Sequence, residues 1–228
     1  MQSIIIAIDG PSSSGKSTLA KLLAVALNYG YIDSGAFYRA TTVYFNEHGI
    51  DLNNQTEILD ALGHIEFVFE HDIDQNVSHI FLNGRNVESE IRGINISNLV
   101  SAVSTIPEVR KFIVEKLRAY GTHKGIVMDG RDIGTVVFPE AELKIYMTAD
   151  EKIRSERRYR EMKNKGMEVT ESQISKNVSG RDLLDSTRVT APLKKADGAI
   201  VLDNTLISEK EQFEQVLALA QKKIAGGK

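Results

Sequence analysis

In the stretch IIIAIDGPSSSGKST a glycine-rich loop stands between a β-branched apolar run and a helical stripe, and Gly10 to Ser17 read G-x-x-x-x-G-K-S. No other stretch limits the fold so tightly. Ile4–Ile8 is too short and too β-branched for a helix, so Ser3–Asp9 is expected to be a buried strand. After the loop, Leu19, Leu22, Leu23 and Ala26 recur at helical spacing and predict a helix over Lys16–Asn28. The glycines let backbone N–H groups converge on phosphate oxygens, and the helix N-terminus adds positive potential. Gly10, Pro11, Ser12, Ser13, Ser14, Gly15, Lys16, Ser17 and Thr18 therefore form the expected cradle of a nucleoside triphosphate. Lys16 reaches the β- and γ-phosphates, and the Ser17 hydroxyl is a candidate ligand for Mg²⁺. A loop that merely turns the chain is the alternative, and the strand before it and helix after it argue against that.

The rest of the chain continues the alternation. Tyr31–Asp33, Gly125–Asp129, Glu142–Met147 and Ala199–Asp203 read as short strands. Ser34 can cap a helix that Gly49 stops. Pro107 opens a helix with Val109, Phe112, Ile113, Leu117 and Tyr120 on one face. Asp150–Lys165 is a charged helix, and Ser208–Ile224 is the last one. Strands alternating with helices predict an α/β fold with a parallel sheet and flanking helices. One region breaks the rhythm. HIEFVFEHD and VSHIFLNGRNV, residues 64–72 and 77–87, alternate in period two, and Asn83-Gly84 is a hairpin turn. A small antiparallel insertion over about residues 63–95 is expected within a single domain.

Composition removes several classes. The chain has 228 residues and no cysteine, which excludes disulfides and thiolate zinc sites. Its net charge of -3 gives no global attraction to nucleic acid or anionic membrane. No apolar run approaches a membrane span, and the one before Asp9 is too short for a signal-peptide core, so a cytoplasmic location is expected. The five histidines suggest no metal constellation; His71 and His79 are expected at surface positions of the small sheet. A guanine-specific N-K-x-D element is absent, so a GTPase is not indicated.

Where a phosphate held by the loop would go must be read elsewhere. DSGAFYR (33–39), DGRDIGTVVFP (129–139) and GRDLLDSTRVTAPL (180–193) each set arginine beside carboxylate on an expected loop or element end. The planar guanidinium fork suits phosphate, and Arg39, Arg131 and Arg188 are candidates for a second phosphate site. A hydrolase needs no such site, whereas a transferase whose acceptor is itself a phosphate does. Surface salt bridges are the alternative for each arginine taken alone.

These motifs, with SAVSTIPEVR and IVLDNT in the same order, resemble those of the bacterial cytidylate kinases, a family of nucleoside monophosphate kinases, over nearly the whole chain. The insertion resembles the enlarged monophosphate-binding region of such enzymes. The resemblance implies transfer of the ATP γ-phosphate to CMP or dCMP with Mg²⁺, by a monomer. It implies that Ser34, Arg39, Arg131 and Arg188 hold the acceptor, mostly at its phosphate. Arg181 and Asp185 would reach the sugar, and Ser101, Arg110 and Asp132 would read the base. Residues 150–190 would form a helical lid with flanking helices, with Arg154, Arg157 and Arg158 closing on the ATP phosphates. Alternatively this basic helix is solvated and laced by pairs one turn apart; RNA binding is a further alternative, which the acidic whole disfavours.

The chemistry of cytosine supports the base assignment. Its N4 amino group donates, so Asp132 can accept from it, and its N3 and O2 accept, so Arg110 can donate to them. An ordinary capping or salt-bridging role is the alternative for Asp132. No general base is needed, because an acceptor phosphate oxygen is already anionic; Lys16, Mg²⁺ and the arginines would act by positioning and charge neutralisation. Asp129, ending an apolar strand, stands where an acidic residue of a magnesium shell is expected. Two other functions remain open on the sequence: a small-molecule kinase of this type with a different acceptor, such as a UMP/CMP kinase, and a regulator that binds ATP only as a signal.

Overall fold

A computed structural model describes residues 3–72, 77–164 and 166–226. Five parallel strands form the main sheet: β1 (Ile5–Asp9), β2 (Gly30–Asp33), β6 (Ile126–Gly130), β7 (Leu143–Thr148) and β8 (Ile200–Asp203), in the order β2-β6-β1-β7-β8. Every residue of β1 and β6 is buried, so both faces of the sheet centre are covered. That explains why these strands read as continuous apolar runs and not as alternations.

The helices are α1 (Lys16–Leu27), α2 (Ser34–His48), α3 (Gln55–Gly63), α4 (Ile94–Val103), α5 (Pro107–Tyr120), α6 (Glu151–Asn164), α7 (Glu171–Thr187) and α8 (Glu209–Ala225). The expected end of α6 at Lys165 lies outside the described residues. On α1 the buried face is Leu19, Ala20, Leu23 and Ala24, while Leu22 is exposed, so the stripe is rotated from the expected one. Two alanines let the helix lie close to the sheet. The N-cap of α2 is Asp33, not Ser34: the Asp33 carboxylate accepts from the Ala36 N–H at 3.1 Å, and the Ser34 hydroxyl donates instead to the Asp129 carbonyl at 2.7 Å. Residues 180–187 complete α7, so GRDLLDSTRVTAPL stands on an element end and the segment after it, and Arg188 is the C-terminal cap residue.

The small antiparallel sheet is β3 (Phe67–Asp72), β4 (Val77–Leu82) and β5 (Arg85–Asn86), with Asn83-Gly84 joining the last two strands. Both turn residues have positive φ, at 49° and 77°, as a two-residue hairpin demands. The sheet docks on α2, where Phe37 meets Phe67 and Phe69 at ring-centroid distances of 5.3 and 5.8 Å. Its apolar residues thereby join the main core. By contrast, α6 and α7 close over a small core of their own, made by Met162, Val169, Ile174 and Val178. His79 is half-buried on β4. No helix among the described residues is long and apolar enough to cross a membrane.

Gly10 leaves β1 where the backbone of β7 passes very close; a Cβ there would strike the Met147 carbonyl oxygen. Gly10→Ala is therefore expected to destabilise the fold by about 2 kcal/mol, the scale of overpacking, lowering Tm by about 4–8 °C. Thermal unfolding followed by circular dichroism checks this.

Candidate active site

The parallel register brings three carboxylates to the carboxyl ends of neighbouring strands: Asp129 on β6 lies opposite Asp33 on one side and Ile8, next to Asp9, on the other. Ligand sites of open α/β sheets lie at this edge. Each carboxylate has a different partner set. Asp9 accepts from the backbone N–H groups of Ile133 and Gly134, both at 2.7 Å. Burial outweighs those bonds and raises its pKa to about 6. Asp129 accepts from the Ser17 hydroxyl and the Tyr31 hydroxyl, both at 2.9 Å; burial, then the negative charge of Asp33, pushes its pKa up. Asp33 is buried too, which alone would raise its pKa, but the guanidiniums of Arg39 and Arg92 hold it at about 2.

The glycine-rich loop is held from behind. Gly15, with φ 86°, turns the chain into α1. The Lys16 ammonium donates to the Pro11 carbonyl at 2.6 Å and to the Ser14 hydroxyl at 3.2 Å. Burial, then the positive charge of Arg131, lowers its pKa to about 7. Asn204, just past β8, donates to the Ser14 carbonyl at 2.8 Å, and Arg157 donates to the Asn204 side chain and backbone oxygens at 3.0 and 2.9 Å. Arg154 is buried and donates to the carbonyls of Ala149 and Ser12 at 3.0 and 3.1 Å. Of Arg154, Arg157 and Arg158, only Arg158 reaches the cavity wall, where it pairs with Glu161 at 2.8 Å. Arg154 and Arg157 instead brace the loop and its neighbours.

A cavity of about 340 Å³ runs from Ser12–Thr18 to the opposite wall. That wall carries Ser34, Arg39, Ser101, Arg131, Asp132, Arg181, Asp185 and Arg188. Gly10 and Pro11 lie behind the loop, outside the wall. Arg110 is also behind it, ion-paired with Asp132, donating to the Ser104 carbonyl at 3.1 Å and lying 5.5 Å from the centre of the Tyr38 ring. Arg131 donates to Asp185 at 2.8 Å. Arg188 sits 3.6 Å from both Asp132 and Asp185. Among the described residues, three buried guanidinium nitrogens have no hydrogen-bond partner: Nε of Arg39, Nε of Arg181 and Nη2 of Arg188. Burial, then the charge of Arg131, lowers the pKa of Arg181 to about 10. Unpartnered buried donors on crowded cations are what an anion site requires.

A family model described as cytidylate kinase matches residues 6–222. The chain belongs to the cytidylate kinase family. A protein named cytidylate kinase from Flavobacterium johnsoniae is 48% identical over 222 residues, covering 96% of each chain. One of the same name from Bacteroides fragilis is 49% identical over 227 residues, covering 98% of this chain and 99% of its own. A third, from Flavobacterium psychrophilum, is 50% identical over 222 residues, covering 96% and 98%. The solved structure of an uncharacterised protein from Eubacterium ventriosum aligns with TM-score 0.51 at 13% identity, over 97% of this chain and 99% of that one, a likeness of fold alone.

For a member of the cytidylate kinase family, sequence reasoning overlooked several residues that organise the site. Asp9 was visible only as the end of an apolar run, yet it ties β1 to the π-helical turn at Ile133–Val137. Arg92 follows the small sheet and reaches Asp33 at 3.2 Å. Asp182 and Asn204 stand in quoted motifs, but nothing in the sequence tells that they point at the loop.

The depressed pKa of Lys16 has a measurable sign. At pH 8 the free protein carries mostly neutral Lys16, and a bound triphosphate restores its charge. Binding ATP with Mg²⁺ is expected to take up about one proton at pH 8 and far less near pH 6, where Lys16 is already charged. Calorimetry in two buffers of different ionisation enthalpy measures this, and Lys16→Met should abolish the uptake at saturating nucleotide.

Proposed function

We propose that the protein transfers the γ-phosphoryl group of ATP to CMP or dCMP, giving CDP or dCDP. One observation carries this reading: buried nitrogens of Arg39, Arg181 and Arg188 that make no hydrogen bond belong to residues lining the same cavity as the glycine-rich loop. The loop suits the donor triphosphate, and the arginines suit the phosphate of an acceptor nucleotide. An anionic oxygen of that phosphate attacks the γ-phosphorus, the bond to the β–γ bridging oxygen breaks, and ADP leaves. No proton has to be removed from the acceptor, so no general base is required.

Lys16 would neutralise charge that spreads over the transferring group. The Ser17 hydroxyl, backed by Asp129, offers oxygen ligands suited to Mg²⁺. Among the described residues no group of three or more histidines and carboxylates could hold a metal, which fits an ion that also takes oxygens from the substrate phosphates. Bound there, Mg²⁺ would supply charge neutralisation on the donor phosphates. Arg131 and Arg188 would flank the transfer, each held in place by Asp185. Asp185 and Arg181 would reach the sugar, although Arg181 also stands among the cations that would face phosphate.

Base choice would rest on Asp132, with Arg110 behind it and Ser101 on the same wall. Asp132 accepts from the cytosine amino group but would face the O4 acceptor of uracil. A site built on hydrogen bonds rejects the mismatched analogue strongly, by factors of about 10⁴. The test is an ADP-release assay with CMP, dCMP, UMP, AMP and GMP. CMP and dCMP should lead; turnover with none of them would overturn the reading. Asp132→Asn presents both a donor and an acceptor, so the ratio of kcat/KM for CMP over UMP should narrow about a hundredfold, chiefly through loss with CMP. An unchanged ratio would leave discrimination to Ser101 and Arg110.

A further inference from the structure

The two phosphate-facing walls are joined through one loop residue. Ser12 lies in the glycine-rich loop, and both of its backbone polar groups are taken by side chains from distant helices. Its N–H donates to a carboxylate oxygen of Asp182 on α7 at 3.1 Å. Its carbonyl accepts from Arg154 on α6 at 3.1 Å. Arg154 and Asp182 are themselves ion-paired, which closes a ring of contacts around the backbone of one residue. Arg154 is further fixed by its bond to the Ala149 carbonyl at 3.0 Å. Asp182 is not on the cavity wall, but its neighbours Arg181 and Asp185 are, and Arg188 caps the same helix.

We infer that Asp182 is a positioning residue that sets the separation of donor and acceptor phosphates. This rests on the phosphoryl-transfer reading above. Apart from its ends, α7 packs chiefly on α6 and α4, over a core of a few side chains, so its distance from the loop is not fixed by the main core. The Asp182 carboxylate spans that gap and bonds the loop directly. An in-line transfer tolerates little error, and a displacement of about 1 Å costs about a hundredfold in rate. Each nucleotide keeps its own contacts when the strut is cut: the triphosphate has the loop amides and Lys16, the acceptor has Arg39 and Arg131. Losing Asp182 therefore separates turnover from binding.

The experiment compares the parent, Asp182→Ala and Asp182→Asn by four readings: kcat with ATP and CMP, the dissociation constant of a non-hydrolysable ATP analogue, that of CMP, and Tm. Asp182→Ala should lower kcat by about tenfold to a hundredfold while both dissociation constants stay within about threefold. Asp182→Asn keeps an oxygen for the Ser12 N–H but loses the charge facing Arg154, and should fall between. If Asp182→Ala does not fold, Asp182→Asn alone decides, by the same split. Parental kcat in the folded variant overturns the inference. So does a loss shared equally by kcat, both affinities and Tm, which marks a structural residue. A parent that fails to phosphorylate CMP would instead refute the reading beneath it.

Discussion

Crowded guanidinium groups of one sign can share a buried cavity only if carboxylates are set between them, and the site depends on that interleaving. Asp33 stands between Arg39 and Arg92, Asp132 between Arg110 and Arg188, and Asp185 between Arg131 and Arg188. Each acid stabilises its arginines without satisfying all their donors. Under the proposed phosphoryl transfer, the leftover nitrogens would supply the binding capacity. If the pairs were complete, a phosphate would have to break them; with no acids, burying the charges would cost more than the fold could offset.

The acids are placed by the fold and not by one another. Parallel strands end at one edge of the sheet, so Asp9, Asp33 and Asp129 arrive together from segments far apart in the chain. Their surroundings then differentiate them. Two backbone amides hold Asp9 in place of a cation, two hydroxyls hold Asp129, and two guanidiniums hold Asp33. The result is one carboxylate kept firmly charged and two with raised proton affinity, in a row along adjoining strand ends.

Much of this was legible in the sequence, for identifiable reasons. The strands of the main sheet are buried on both faces and announce themselves as apolar runs. The glycine-rich loop and the Asn83-Gly84 turn have local chemistry that leaves few alternatives. Helices α3 and α4 went unread, and α7 was expected only through the resemblance, as an unplaced helix flanking the lid. The first two lie beside or within the stretch whose period-two alternation dominates the reading, and α7 buries only Ile174, Val178 and Asp185 along a polar sequence containing Gly180. Its start carried a readable signal, the Thr170–Gln173 capping box. Long-range polar contacts left no trace: Asp182 meets Ser12 across nearly the whole chain, and no periodicity encodes such a meeting.

The strand order also governs how this chain emerges during synthesis. β1 pairs only with β6 and β7, and β2 pairs only with β6. Neither has a partner strand until residue 126 and those after it have been made. The nascent amino-terminal third thus carries a strongly apolar, β-branched segment that cannot yet be buried in its sheet, a condition that favours aggregation and holdase binding. The hairpin of the small sheet, by contrast, closes between neighbours in sequence and can form early. The loop that joins β1 to α1 thus gains its final surroundings only after the strands on both sides of β1, far downstream, have been made.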